Sequence, residues 1–145
     1  MIDEYSIETS SCKFINRWTP PKTCATYEGI WCLRYHPDTD QLGFTIIDAR
    51  NNQWHMEIRS RDKLTLLWQI VLPIMHGDCE LSPLPNREWV AVNSCGIRLV
   101  QIVDQKLKAA VEYERELKNA VAINNLYFAV RTKSTLEIHE IKRSK

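Results

Sequence analysis

Apolar and polar residues alternate in short runs along this chain, and turn residues interrupt the runs every 8 to 12 positions or so, a spacing that predicts an all-β protein. The runs place strands at 12–18 (CKFINRW), 30–36, 42–48, 53–60, 64–72 and 78–82. Further strands follow at 88–94, 97–103, 107–114, 119–124, 126–132 and 135–142, twelve in total. Between them stand Pro37-Asp38-Thr39-Asp40, Asn51-Asn52, Pro85-Asn86-Arg87, Cys95-Gly96, Asn124-Asn125 and Lys133-Ser134, residue types that favour tight reversals. One segment competes with this pattern. KLKAAVEYERELKNAVA at 106–122 is rich in helix formers and sets Leu107, Ala110, Val111, Leu117 and Val121 on one helical face, interrupted by Glu114.

An internal repeat favours strands there. QWHMEIRSRDKLTLLWQI (53–70) lies over GIRLVQIVDQKLKAAVEY (96–113) at a shift of 43, matching Lys63 with Lys106 and Leu64 with Leu107. PNREWVAVNS (85–94) lies over INNLYFAVRT (123–132) at a shift of 38, pairing Trp89 with Tyr127 and Ala91-Val92 with Ala129-Val130. The stretch CLRYHPDTDQLGFTII (32–47) is more distantly similar to CELSPLPNREWVAV (79–92). Periods near 40 to 47 residues with four strands each are the signature of propeller blades. The chain therefore resembles a β-propeller repeat protein, WD40-like in the broad sense, although no GH or WD dipeptide stands at the blade ends.

That resemblance implies one domain over 1–145, with blades at about 30–72, 78–114 and 119–142 and with 12–18 as a closing strand. Three blades are too few to surround an axis, since propellers typically use about four to eight. Two chains joined about a two-fold axis would supply six, each N-terminal strand completing the other chain's last sheet; a portion of a larger propeller is the alternative.

Composition narrows the classes. In 145 residues, nineteen Lys and Arg balance eighteen Asp and Glu, a net charge of +1, and 44% of residues are apolar, enough for a buried core. Without a clustered basic face the chain does not read as a nucleic-acid binder, and the modest excess over 131–145 (Arg131, Lys133, Lys142, Arg143 and Lys145 against Glu137 and Glu140) reads as a solubilising end. The longest apolar run, LTLLWQIVLPI at 64–74, falls short of the roughly 20 residues a spanning helix needs. MIDEYSIETS has no apolar signal region, so an intracellular, cytoplasmic or nuclear setting is the expectation. Five cysteines without a CxxC pair read as free thiols.

The chemistry is sparse. Cys24, Cys32 and His36 lack the short ligand spacing of structural zinc, as do His76 and Cys79, and Cys32 and Cys79 occupy matching repeat positions that suit small core residues. No metal site, cofactor or catalytic residue is assigned. Cys95 sits at a turn, and His55 and His139 fall in third strands, where they are expected to face outward. Four scattered glycines form no phosphate loop. Among five tryptophans, Trp31 and Trp54 are the ones placed to show at a propeller face, and Arg34, Tyr35, His36 and Asp38 end a first strand where loops approach a central channel. These six are the candidate partner-binding residues. Propeller resemblance implies a non-enzymatic protein-interaction scaffold, as a homodimer. The alternative is a ligand-binding or hydrolytic propeller whose channel site would draw on His36, Asp38, Asp78 and Cys79.

Overall fold

A computed structural model of the protein describes residues 1–19, 23–74, 77–93, 98–113, 115–124 and 126–140. All of its regular structure is strand. The strands are β1 (Ile2–Glu8), β2 (Ser11–Trp18), β3 (Glu28–His36), β4 (Gln41–Asp48), β5 (Gln53–Ser60), β6 (Leu66–Val71) and β7 (Cys79–Leu84). The series continues with β8 (Glu88–Asn93), β9 (Arg98–Val103), β10 (Lys106–Glu112), β11 (Leu117–Ala122), β12 (Tyr127–Thr132) and β13 (Leu136–Glu140). They form antiparallel sheets in simple order: β1-β2, β3-β4-β5-β6, β7-β8-β9-β10 and β11-β12-β13. Among the described residues there is no helix of membrane-spanning length and hydropathy.

Tight hairpins generate this up-and-down order. Asp104 and Gln105 both take positive φ, 48° and 62°, the geometry of a two-residue turn whose twist matches that of the flanking strands. Asn86 and Arg87, each at 64°, reverse the chain in the three-residue connection between β7 and β8, and Asn52 at 53° ends the four-residue connection after β4. Segment 106–122 is strand and not helix: β10 pairs along β9 and β11 along β12, so ladder bonds and packing outweigh local helix propensity.

The sheets stack face to face, with the first strands β3, β7 and β11 side by side. The middle sheet is therefore covered on both faces, and every residue of β8 is buried. Between the first and second sheets lie Cys32, Trp54, Met56, Ile58, Leu81, Trp89 and Ala91; between the second and third lie Leu84, Val90, Val92, Leu117, Ala120 and Val130. Gly43 sits where the Trp89 ring crosses β4; a Cβ there would lie 2.6 Å from two of its ring carbons, so only glycine allows this approach. The other face of the first sheet buries Phe44 and Ile46 beneath Ile2 and Trp18 of the N-terminal hairpin.

That hairpin departs from the sequence expectation. In place of a single strand at 12–18, β1 and β2 pair from Ile2↔Trp18 to Glu8↔Ser11, with a bulge after Glu4. Within the chain it forms a separate two-stranded sheet and leaves the third sheet with three strands.

Candidate interaction surfaces

The six candidate residues divide between surface and core. A bulge between Ile30 and Cys32 leaves Trp31 without a ladder partner, and its ring is 50% exposed. It stands edge-on to Trp54, with centroids 6.2 Å apart at 89°. Trp54 itself is only 1% exposed and offers no surface; its indole N–H has no hydrogen-bond acceptor among the described residues. Arg34, exposed, donates to the Leu33 carbonyl at 2.9 Å and to Glu80 at 3.0 Å, tying the first sheet to the second. The exposed Tyr35 donates to Asp40 at 2.9 Å, and this hydrogen bond raises the phenol's pKa. Arg61 holds the same carboxylate at 2.8 Å.

His36 and Asp38 continue the strand into its turn. His36 is buried edge-on against Trp89, centroids 5.0 Å apart, and neither ring nitrogen has a hydrogen-bond partner among the described residues. Asp38 accepts from the Asn86 backbone N–H at 3.3 Å. Both line an open cavity of about 340 Å³ where all three sheets meet, together with Leu84, Pro85, Val121 and Ile123. Of the other channel candidates, Cys79 is fully buried and its thiol is pushed far up by that burial. Cys32 is raised too, first by burial, and its Sγ lies 3.5 Å from Glu80. Among the described residues no group of three His, Cys, Asp or Glu side chains is placed to hold a metal. His76, Cys95 and the basic residues beyond 140 lie outside the described residues.

His55 lies on the outer face of the first sheet, in the row of Ile46, but is largely covered there, and His139, expected to face outward, shares the inward face of Phe128. His55 lies 3.5 Å from Glu57 and 3.8 Å from Glu28, and His139 stacks on Phe128 at 5.3 Å, 23° between planes. Glu57 belongs to a buried ion pair that sequence pattern did not reveal. Arg59 grips it at 2.6–2.7 Å and donates to the Leu64 carbonyl at 3.1 Å. Burial works against the Glu57 charge, but hydrogen bonds from His55 and Arg59 outweigh it and hold the carboxyl below its usual range. An E-x-R stretch in a strand looks like an ordinary solvated face, so nothing local marked this pair as buried.

The largest apolar exposure lies at the two ends of the stack. On the third sheet, Val121, Tyr127, Leu136 and Ile138 are exposed, the last two at 69% and 57%. Register places Val121, Ala129 and Ile138 in one cross-strand row, opposite in face to the Val130 and Phe128 that pack on the second sheet. At the other end, Tyr5 and Phe14 face each other across the hairpin, edge-on at 5.7 Å, with Ile7 beyond them.

No family model matches the chain, and no curated protein is significantly similar. Solved structures are similar in fold. The β-propeller domain of Cps50 (Swd1) from Myceliophteria thermophila superposes with a TM-score of 0.61 at 14% identity, over 80% of this chain and 39% of that one. Hsv2 from Kluyveromyces lactis gives 0.56 at 11% identity, over 79% and 33%. The chain thus spans well under half of each of these two structures. Its fold is that of a β-propeller, its three larger sheets spanning 28–71, 79–112 and 117–140 where the sequence led to blades at 30–72, 78–114 and 119–142.

Proposed function

We propose that this protein is a non-enzymatic protein-interaction scaffold of the propeller type, working as a homodimer that closes a six-bladed ring. The observation that supports the scaffold reading is β3, a first strand hydrogen-bonded along β4 that presents Trp31, Arg34 and Tyr35 to solvent. An exposed indole braced by a second indole is preorganised, so a partner binds it without paying to order it. Arg34, half committed to Glu80, adds an exposed cation three residues further along the same strand. Dimerisation is supported by the uncovered apolar face of the third sheet, since a propeller blade ordinarily has a neighbour on each side.

Selection of a random peptide library on the purified protein tests the scaffold reading. The expected result is an enriched family of peptides whose affinity falls at least tenfold in Trp31→Ala and is unchanged in Ile7→Ala. Enrichment of nothing, or of peptides indifferent to Trp31, overturns it.

A further inference from the structure

We infer that the N-terminal hairpin of each copy adds to the third sheet of a second copy, with β2 running antiparallel along the edge of β13 to make a five-stranded blade in the order β11-β12-β13-β2-β1. This rests on the dimer reading above and names the contact that produces it.

Four observations lead here. First, the two complete sheets have four strands and the third has three, with β13 paired on one side only among the described residues. An open edge of this kind is a template for strand addition. Second, the hairpin is already seated where a neighbouring blade belongs, because Ile2 and Trp18 cover Phe44 and Ile46 on the outer face of the first sheet. A blade completed by this hairpin is thereby delivered to that position, with its first strand beside β3. Third, the faces agree. Cross-strand register puts Lys13 on the same side of the hairpin as Trp18, and puts Cys12, Phe14 and Arg17 on the opposite side. Joined to β13 in the orientation of the stack, the Trp18 side continues the open face of Leu136, Ile138 and Glu140, setting Lys13 near a carboxylate. The other side sets Phe14 and Arg17 beside Glu137 and the stacked His139 and Phe128. Fourth, a three-sheet segment corresponds to 39% of the length of one propeller neighbour, so two copies supply most of such a ring. The exchange is isologous, each copy giving one hairpin and receiving one, so it closes at two copies and leaves no β13 edge for a third.

Cys12 provides the test. It is an exposed free thiol on β2, and cross-strand Cα separations of about 4.5–5.5 Å lie within disulfide reach. Single cysteines are introduced in the full chain by Leu136→Cys, Glu137→Cys, Ile138→Cys, His139→Cys and Glu140→Cys, each checked for a wild-type circular dichroism spectrum and oxidised under mild conditions. The expected result alternates along the strand: Glu137→Cys and His139→Cys give a disulfide-linked doublet, the intervening positions give at least fivefold less, and Cys12→Ser abolishes it. Doublets at all positions alike, or at none while light scattering still reports a dimer, overturn strand exchange and leave dimerisation standing. A monomeric mass overturns both.

Discussion

Gly43→Ala perturbs the junction of the first two blades with a single methyl group. The added Cβ would meet two carbons of the Trp89 six-membered ring at 2.6 Å and a Leu81 methyl at 2.7 Å, about 1 Å inside ordinary contact distance. Trp89 has little freedom to retreat: it is 1% exposed, and His36 stands edge-on 5.0 Å from it. Overpacking of this kind costs about 1–3 kcal/mol. Removing a strand glycine returns roughly 0.5–1 kcal/mol of backbone entropy. The net expectation is a loss of about 1–2 kcal/mol, read as a fall of about 0.5–1 M in the urea midpoint with an unchanged slope, at one fixed protein concentration. Trp89→Phe takes away the ring carbons that collide, so the double variant should be more stable than the two single losses predict, by about 1 kcal/mol. A Gly43→Ala protein as stable as wild type, or strictly additive losses in the double variant, would refute close packing of β4 against β8.

Two further changes probe the interior. Thr45→Val removes the hydroxyl that donates to the buried Cys79 carbonyl at 2.7 Å, and an isosteric loss of that bond should cost about 1–2 kcal/mol by urea denaturation. Glu57→Gln removes the carboxylate charge that the buried Arg59 holds at 2.6 Å and should cost about 3 kcal/mol at neutral pH. Because the folded-state pKa of Glu57 is lowered from 4.5, its contribution is present above that value and lost as pH falls through the folded one. Wild-type stability should therefore drop on acidification below about pH 4.5, and the Glu57→Gln profile should be flatter there; parallel profiles would contradict the pairing.

How far the sequence alone reached depended on which residues carried local signals. Alternation bounded by Asn, Asp and Pro placed β3 to β13 within a few residues, because each hairpin's turn chemistry sits in the turn itself. Repeat register correctly set aside the helix-forming composition of 106–122, where ladder pairing decides. β1 was passed over because IDEYSIE carries three acids and sits beside a Thr-Ser turn without Gly, Asn or Pro, though Tyr5 and Ile7 alternate as a strand should. Trp54 was expected at a face and lies in the core, since proximity to a turn says nothing about which way an inward pleat points. The interaction surfaces were the least legible part. Exposure of Trp31 depends on a bulge, and the bare face of the third sheet depends on how many blades surround it, neither of which is a property of neighbouring residues.

Absolute mass by light scattering on a sizing column bears most directly on closure of the ring. A six-bladed dimer of this 17.0 kDa chain has twice its mass, and that value should hold from about 1 to 100 μM and fall to the single-chain mass in Ile138→Lys, which buries a charge in the contact. A wild-type protein that elutes with the mass of one chain throughout that range would contradict it.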